Sequence, residues 1–443
     1  MKGVAVVFLL LIVFGITIIF FQQLYYTIIV SIYHLGIRIA AVFIKKAKLW
    51  VNGRKDLFKN LEVAMNGSSK KTIWFHCASL GEFEQARPVI EKIKNDDPAI
   101  KILLTFYSPS GFEIRKDYPF ADYVTYLPAD TRSNAKKFIA IVKPDIAVFV
   151  KYEFWYHHIN EIYKNKIPLY LIAGIFRKKQ LFFKWYGRLH KQILKKYTRL
   201  FVQNEESLQL LHSIKVNNAE ICYDTRFDRV KTVADTSKDF PQIAEFVADY
   251  NTIIGGSTWP TDERLLAKAF YKSLVYLNFK IIIVPHNVDM KYLHKTKKLF
   301  KKYALLWSDI EKASQADLKG KRVLIIDNIG MLSSIYKYGD INYIGGGFGK
   351  GIHNTLEAAV YGKPLFIGTK YKKYNEAVEL VKANAAFVIH DVDELLNRVN
   401  LMNQFPFILT GAGKDAKNYV LTHLGGTDKI ASEIEKKVFS SEF

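Results

Sequence analysis

The stretch INYIGGGFGKGIHNTLEAAVYGKP, residues 341–364, combines a buried-strand pattern, a glycine-rich loop and the first turn of a helix. Five glycines lie within the seven positions 345–351, where the absence of a Cβ atom lets the backbone approach a ligand closely. A helix N-terminus adds unpaired N–H groups and a partial positive charge. The stretch therefore predicts a βα unit whose loop binds a phosphate group.

A second explanation of this stretch needs no ligand. Asn354 and Glu357 have the spacing of an N-cap residue and its returning carboxylate, which together form a capping box. Capping alone does not require the five glycines, and the ligand-binding interpretation is therefore favoured. The capping role remains open beside it.

Short apolar runs alternate with helical patterns from about Lys71 onward, which is typical of repeated βα units and parallel sheets. We predict an α/β protein with two Rossmann-like, doubly wound parallel-sheet domains facing a cleft. Residues 1–48 form a membrane anchor and juxtamembrane segment, residues 49–235 the N-terminal domain and residues 236–443 the C-terminal domain. The predicted strands are 73–76, 102–106, 123–126, 146–150, 169–172, 200–203, 252–255, 281–285, 323–326, 343–345 and 364–367.

Composition limits the function classes. With 443 residues, 49% of them hydrophobic, the chain can build two large cores. Cys77 and Cys222 are the only cysteines, which argues against a disulfide framework and favours a reducing compartment. A formal charge of +22 implies an anionic partner, either a membrane surface with phosphorylated lipids or nucleic acid.

Residues 4–21 form an uncharged apolar run near the minimum length for crossing a bilayer core of roughly 30 Å. We interpret the run as a retained anchor rather than a cleaved signal peptide, because no small-residue cleavage site follows it. Arg38, Lys45, Lys46 and Lys48 follow the run and only Lys2 precedes it. The positive-inside tendency then leaves the long C-terminal portion of the chain in the cytoplasm.

Residues 176–199 contain nine Lys or Arg, no acidic residue and five aromatics before Leu189. This composition predicts a basic amphipathic helix on an anionic membrane surface. Single-stranded nucleic acid can also bind basic residues interleaved with aromatics. The membrane is favoured because the same chain carries the anchor, and no nucleic-acid partner is expected.

Two glutamates stand where predicted strands give way to helices. Glu82 follows the strand that ends near His76, and Glu153 follows the strand that ends at Val150. A carboxylate there can act as a general base, although a first-turn glutamate also complements the helix dipole. Arg226, between Asp224 and Asp228, is either a structural ion-pair partner or a clamp on a leaving phosphate.

Two further motifs bear on ligands. The Gly255–Gly256 turn followed by Ser257 and Thr258 can hold an anion, but it is not a Walker loop because no Gly-Lys-Ser/Thr follows. His157 and His158 resemble a metal pair, yet adjacent helical residues diverge. No third ligand has a suitable spacing, and no metal is predicted.

Taken together, the motifs resemble the 3-deoxy-D-manno-octulosonic acid (Kdo) transferases of lipopolysaccharide inner-core biosynthesis over essentially the whole chain. The matching segments are HCASLGE from His76, TFYSPSG from Thr105, YLPAD from Tyr126, residues 153–155, GGSTWP from Gly255, VLIIDNIG from Val323 and the glycine-rich stretch. Their order and separation carry the resemblance, since no single motif decides it.

The resemblance implies a GT-B glycosyltransferase that moves Kdo from CMP-Kdo to lipid IVA with inversion and without a cofactor or metal. It assigns Glu82 as the general base and Glu153 and Arg226 as stabilisers of the transition state, with lysine usual where Arg226 stands. CMP contacts are then expected at Pro285, His286, Ile329, Gly330, Met331, Asn354, Thr355, Leu356 and Glu357.

The chain departs from the family pattern at three of these positions. Pro285 and His286 stand where Pro-Arg-His-Pro is common, and the expected arginine is missing. Met331 replaces an acidic residue, which leaves backbone contacts there, and Thr355 replaces a proline. Two alternatives remain: another GT-B enzyme that uses a UDP-sugar at the membrane, and a non-catalytic basic protein that binds membrane or nucleic acid.

Overall fold

The computed structural model describes residues 21–67, 70–310 and 320–439. The chain forms two compact units, one comprising Met1–Arg226 with Gly425–Phe443 and the other Phe227–Leu424. The division falls between Arg226 and Phe227, whereas the sequence analysis placed it after residue 235. The last helix, Gly426–Phe439, belongs to the first unit because its Ile430, Ala431 and Ile434 complete that unit's core.

The first unit contains a seven-stranded, wholly parallel sheet in the order β3-β2-β1-β4-β5-β6-β7. Every residue of β1 and β4 is buried, as expected for strands covered by helices on both faces. The strands are β1 Thr72–Cys77, β2 Lys101–Phe106, β3 Tyr123–Tyr126, β4 Ile146–Val150, β5 Leu169–Gly174, β6 Arg199–Val202 and β7 Ala219–Ile221.

Helices of this unit precede, connect and follow these strands. They are α1 Gln22–Ala40, α2 Lys45–Asn52, α3 Leu57–Met65, α4 Leu80–Asp96, α5 Pro109–Arg115, α6 Arg132–Val142, α7 Tyr156–Lys164, α8 Arg188–Leu194, α9 Glu205–Ser213 and the C-terminal helix Gly426–Phe439. The helix Arg226–Asp235, α10, begins at the last residue of the unit and continues into the next.

The second unit repeats the architecture with the strand order β10-β11-β9-β8-β12-β13-β14, again all parallel. The strands are β8 Asn251–Thr258, β9 Phe279–Pro285, β10 Ala304–Leu306, β11 Val323–Ile325, β12 Ile341–Ile344, β13 Leu365–Gly368 and β14 Ala386–Ile389. The helices are α11 Pro241–Val247, α12 Pro260–Ala269, α13 Met290–Phe300, α14 Trp307–Ile310, α15 Leu332–Ile335, α16 Leu356–Ala359, α17 Asn375–Lys382, α18 Val392–Gln404 and α19 Pro406–Leu421.

The two parallel-sheet α/β domains predicted from the sequence are therefore present. The predicted anchor, residues 4–21, lies outside the described residues apart from Phe21. Over the described part of the chain, no single helix has the length and apolar character to cross a membrane; α1 and α2, bent by 117° relative to each other, meet that criterion only as a pair.

The single basic amphipathic helix predicted over residues 176–199 is wrong. The segment consists of a 3-10 turn, Leu181–Phe183, and the short helix α8, separated by a loop that carries Trp185 and Gly187. A Cβ atom on Gly187 would collide with the carbonyl oxygen of Leu181, so the chain turns sharply there. The indole of Trp185 is 82% exposed in this loop.

Candidate active site

The order of the first sheet reverses at β1 and β4, which pair directly with His76 opposite Phe149. In doubly wound sheets, ligands bind beyond the carboxyl ends of the two strands at such a switch point. Glu82 follows β1 and Glu153 follows β4. The topology therefore brings both predicted carboxylates to the expected edge of the sheet. We call Glu82, Glu153 and Arg226 together the first-domain site.

Glu82 lies in the first turn of α4, three residues after the N-cap residue Ser79. The Ser79 hydroxyl makes no capping bond to the helix backbone and instead donates to Oε2 of Glu82. Oε1 of Glu82 forms no hydrogen bond to the described residues, and the side chain is partly exposed. One carboxylate oxygen is thus held by a neighbour, and the other is available to accept a proton.

Glu153 is buried, with 7% of its surface exposed. Its Oε2 accepts a hydrogen bond from Nε1 of Trp155 at 2.6 Å and lies 3.1 Å from Nε2 of His76. The other ring nitrogen of His76 lies 2.9 Å from the hydroxyl of Thr105 on β2. Three neighbouring strand ends therefore fix the orientation of this carboxylate.

Cys77, the last residue of β1, is a buried thiol beside this site. Burial raises the pKa of its thiol well above the usual value, and the charges of Glu82 and Glu153 raise it further. Both carboxylates therefore act on the same thiol from the carboxyl end of β1. Cys77 is a neutral thiol at physiological pH and not a nucleophile.

Arg226 is tied to the same region through α4. Its Nη2 and Nε lie 2.8 and 3.1 Å from Oδ2 of Asp224. That oxygen also accepts from Gln85, one helical turn after Glu82, at 2.6 Å. Burial alone would raise the pKa of Asp224, but Arg226 and Gln85 hold it below its usual value. The structural ion pair considered for Arg226 is therefore present.

The order of the second sheet reverses at β8 and β12, which pair with Gly256 opposite Ile344. Three rings follow neighbouring strands at this edge: Trp259 after β8, His286 after β9 and His353 after β12. His286 stacks on Trp259 at 4.5 Å and on His353 at 4.6 Å between ring centroids. Nε1 of Trp259 donates to Nε2 of His353 at 2.9 Å. We call these three residues the ring cluster.

Asp262 holds the loops of this edge together. Its buried carboxylate accepts from the backbone N–H groups of Trp259 at 2.9 Å and Gly346 at 2.8 Å, and from the hydroxyl of Tyr343 at 2.8 Å. Two of these donors come from the β12 segment and one from the β8 loop. Asp262 thus fixes the glycine-rich loop against the start of α12.

Packing of the chain against itself explains several glycines of the opening stretch. A Cβ atom on Gly345 would collide with Ser257, and one on Gly347 would lie 2.5 Å from the Cα of Gly368. Gly346 adopts φ +90°, a conformation that favours glycine. A Cβ on Gly349 would meet its nearest atom at 3.6 Å. Close approach to a ligand is therefore not needed to explain Gly345, Gly346 or Gly347.

The helix expected after these glycines is short, Leu356–Ala359, and its N-cap residue is Thr355 rather than Asn354. Asn354 accepts a bond from the N–H of Leu356 at 3.1 Å and donates to Glu357 Oε1 at 2.9 Å. The predicted pairing of Asn354 with Glu357 is present, but between side chains. Thr355 and Leu356 are fully buried.

The remaining residues expected to contact CMP follow β9 and β11, which are neighbours in the sheet. Pro285 ends β9, and His286 extends from it into the ring cluster. Ile329 is 85% exposed, Gly330 adopts φ +96° and Met331 is buried in the core. In this loop Ile329 and the backbone at Gly330 are accessible, whereas the Met331 side chain is occupied by packing.

The adjacent histidines diverge. His157 Nε2 lies 2.9 Å from the hydroxyl of Thr27, whereas His158 Nδ1 lies 2.6 Å from Asp130 Oδ1. Within residues 21–67, 70–310 and 320–439, no three His, Cys, Asp or Glu side chains are grouped so that they could hold a metal ion.

Sequence reasoning missed several residues that organise these sites. Ser79 and Glu82 have the S-x-x-E spacing of a capping box, which is a signal visible in the sequence. The contacts of Trp155 with Glu153 and of Trp259 with His353 join side chains that no periodic pattern relates. From the sequence, Asp262 is expected to be an ordinary acidic residue in the first turn of a helix.

Residues 54–229, which include Glu82, Glu153 and Arg226, match the family described as 3-deoxy-D-manno-octulosonic-acid transferase (kdotransferase). Relatives described as 3-deoxy-D-manno-octulosonic acid transferase extend the similarity beyond the first domain. The Aquifex aeolicus protein is 27% identical over 335 residues, covering 74% of this chain and 85% of the relative. The Rickettsia prowazekii protein is 25% identical, covering 75% and 72%.

Residues 54–229 therefore form a domain of the Kdo transferase family. The first-domain site lies within this domain, and the similarity to the relatives covers about three-quarters of the chain. Kdo transfer, a glycosyltransferase activity, is the activity that these similarities support.

Solved structures with the same fold include a putative UDP-N-acetylglucosamine 2-epimerase from Listeria monocytogenes, with a TM-score of 0.56 and 11% identity over 85% of this chain and 98% of that one. The UDP-GlcNAc 2-epimerase from Neisseria meningitidis gives a TM-score of 0.56 and 15% identity over 83% and 100%. At such identities the likeness concerns the fold alone, two GT-B-like parallel-sheet α/β domains.

Proposed function

We propose that this Kdo transferase family member moves Kdo from CMP-Kdo to lipid IVA in lipopolysaccharide synthesis, with inversion. The observation that carries the proposal is the pair of carboxylates, Glu82 and Glu153, at the switch point of a domain that matches the family. A non-catalytic binding protein has no need for oriented carboxylates at this edge.

Glu82 is the general base of the proposed reaction. It takes the proton of the attacking sugar hydroxyl on the lipid, and the oxygen forms a bond to the anomeric carbon of Kdo. The bond between that carbon and the CMP phosphate oxygen breaks, and CMP leaves with the electron pair. The Ser79 hydroxyl, which donates to Oε2, orients the carboxylate for this transfer.

Glu153 and Arg226 stabilise the charges that develop in the transition state. Glu153 is held rigidly by Trp155 and His76, so it needs no reorganisation during the reaction. Arg226, positioned by Asp224, supplies a positive charge for the departing phosphate. The second-domain residues expected to contact CMP supply donor binding, with accessible groups at His286, Ile329 and Gly330.

Because the acceptor is a lipid, the enzyme must act at an anionic membrane surface, which we propose is the inner membrane. The catalytic domains then lie on its cytoplasmic side, and residues 4–21 form a single-pass anchor. α1 supports this proposal because many of its apolar side chains are exposed, among them Leu24, Ile29 and Ile32. Trp185 extends from a neighbouring basic segment; Gln22 of α1 donates to the carbonyl oxygen of Tyr186 at 2.7 Å.

The decisive experiment incubates the full chain in detergent with CMP-Kdo and lipid IVA and follows products by mass spectrometry. We expect Kdo addition that is lost in Glu82→Gln and kept in Glu84→Gln. Glu84 is the matched control because it lies on the same helical turn and pairs with Arg115 at 2.9 Å. Transfer by Glu82→Gln at the native rate would contradict the proposed base.

Thermal denaturation separates the alternatives by ligand. The proposed donor predicts stabilisation by CMP and not by UDP. Stabilisation by UDP alone would instead favour a UDP-sugar enzyme.

Cosedimentation with anionic vesicles tests the binding of the chain to a membrane surface. We expect weaker vesicle binding for Trp185→Ser than for Trp50→Phe, because the Trp50 side chain is buried.

A further inference from the structure

The geometry of the ring cluster points to a specific hydrogen-bonding state. The rings of Trp259 and His353 lie nearly parallel, at 9°, with centroids 6.4 Å apart and a hydrogen bond between their nitrogens. His286 lies over both rings at 4.5 and 4.6 Å. Trp259 is 39% exposed and His286 is exposed, so one side of the cluster is accessible to a ligand.

The contact with Trp259 determines which nitrogen of His353 carries the proton. An indole N–H only donates, so Nε2 of His353 must accept, and the proton of the neutral ring resides on Nδ1. Burial and the neighbouring His286 lower the pKa of His353, which favours the neutral ring. Nδ1–H of His353 makes no hydrogen bond within the described residues. The site therefore presents an unpaired donor of defined position.

Backbone contacts hold the three rings in place without a ligand. The N–H of His286 donates to the carbonyl oxygen of Thr258 at 2.9 Å, and that of His353 donates to Gly345 at 3.2 Å. Asp262 binds the N–H groups of Trp259 and Gly346. The Asp262 charge is unfavourable to an anion, but the carboxylate is fully engaged with its three donors. The exposed Lys370, whose N–H donates to Gly347, adds a positive charge near the loop.

We propose that the ring cluster binds the phosphate of the nucleotide in place of the arginine that this chain lacks after Pro285. Nδ1–H of His353 and the imidazole of His286 are the donors to the phosphate. Trp259 is a positioning residue, because its N–H fixes the tautomer of His353. The inference rests on the proposed function, since it takes a cytidine monophosphate unit as the ligand of the second domain.

The test compares CMP with cytidine, which differ only in the phosphate, by isothermal titration of the full chain in detergent. Trp259→Phe keeps an aromatic ring but removes the N–H, and His353→Gln places its amide near the Nε2 position. We expect both variants to lose about tenfold in CMP affinity with unchanged cytidine affinity. His353→Asn places an amide donor near Nδ1 and should stay within about threefold of the native protein.

A spectroscopic readout tests the positioning role directly. Two-bond ¹⁵N–¹H correlation spectra should assign the Nδ1–H tautomer to His353 in the native chain and a tautomer mixture in Trp259→Phe. CMP binding by the native chain with equal losses for CMP and cytidine, or with none, would overturn this inference alone. Absence of CMP binding together with absence of Kdo transfer would overturn the proposed function as well.

Discussion

The indole N–H of Trp155 donates to Oε2 of Glu153 at 2.6 Å, and the same ring stacks on Tyr107 with centroids 4.6 Å apart. Tyr107 in turn lies 3.2 Å from Nε2 of His34 on α1 through its hydroxyl. Trp155, which orients the buried Glu153 carboxylate, therefore stacks on Tyr107, and Tyr107 is hydrogen-bonded to His34 of α1.

Replacing Trp155 by Phe should reduce kcat for Kdo transfer by about tenfold with little change in KM, because a charged hydrogen bond contributes about 1.5–3 kcal/mol. Phenylalanine keeps the stacking on Tyr107, so the thermal midpoint should change little. Steady-state kinetics and a thermal scan measure both quantities. The matched control is Trp185→Phe, an exposed indole that does not touch Glu153; equal kcat in the two variants would contradict the role of Trp155.

Substitutions of Arg226 can distinguish the contribution of its positive charge from that of its two-nitrogen contact with Asp224. Arg226→Gln removes the charge, and we expect kcat to fall by about 100-fold, the range measured for loss of one stabilising donor. Arg226→Lys keeps the charge and loses only the two-nitrogen contact with Asp224, so it should stay within about tenfold of native activity. Kinetics with saturating CMP-Kdo distinguish them. Arg199→Gln, which removes a surface partner of Glu220 at 3.1 Å, should have no effect.

The carboxylate of Asp224 should make the folding stability of the chain depend on pH in the acidic range. Its pKa in the folded state lies below the ordinary value of 3.8, so the carboxylate contributes stability above that value and loses it as the pH falls through the lowered pKa. Asp224→Asn should therefore destabilise the chain at pH 7 by about 3 kcal/mol, the cost of breaking a buried pair, and by less below pH 3.8. Thermal scans across pH measure the difference.

The control for this prediction is Asp96→Asn on α4. Asp96 pairs with Lys92 at the surface, where both side chains are more than a third exposed. Such a pair contributes about 0–1 kcal/mol. A loss of stability in Asp96→Asn equal to that in Asp224→Asn would show that burial of the Asp224–Arg226 pair is not the cause.

The sequence predicted the central strands and the edge strand β3, but it missed the other three edge strands. β4 is a continuous apolar run, and β1 contains another at Ile73–Phe75, as a helix-covered parallel sheet requires. The unpredicted strands β7, β10 and β14 have three or four residues, and each lies at an edge of its sheet. Their pairing depends on the neighbouring strand, so a local pattern carries little signal for them.

The candidate site was predictable where topology alone positions a residue. Glu82 and Glu153 follow the strands that meet at the switch point, and a strand list suffices to bring them together. Some contacts that orient them are local, since Ser79 and Trp155 lie within three residues of the carboxylates they bind. The contact of His76 with Glu153, however, joins residues 77 positions apart in the sequence. The Asp224–Gln85 bond also joins distant parts of the chain, and no periodicity of the sequence encodes it.

Substitutions of the glycines in residues 345–351 can distinguish a role in packing from a role in ligand access. Gly345→Ala would drive a Cβ into Ser257 and within 2.7 Å of the Cα of Thr258, so we expect a loss of about 3 kcal/mol or failure to fold. Gly349→Ala meets its nearest atom at 3.6 Å and should keep the native thermal midpoint. If a ligand approaches this loop, Gly349→Ala weakens CMP binding without altering stability. Native stability of Gly345→Ala would contradict the packing explanation, because that explanation requires the β8 and β12 loops to touch backbone to backbone.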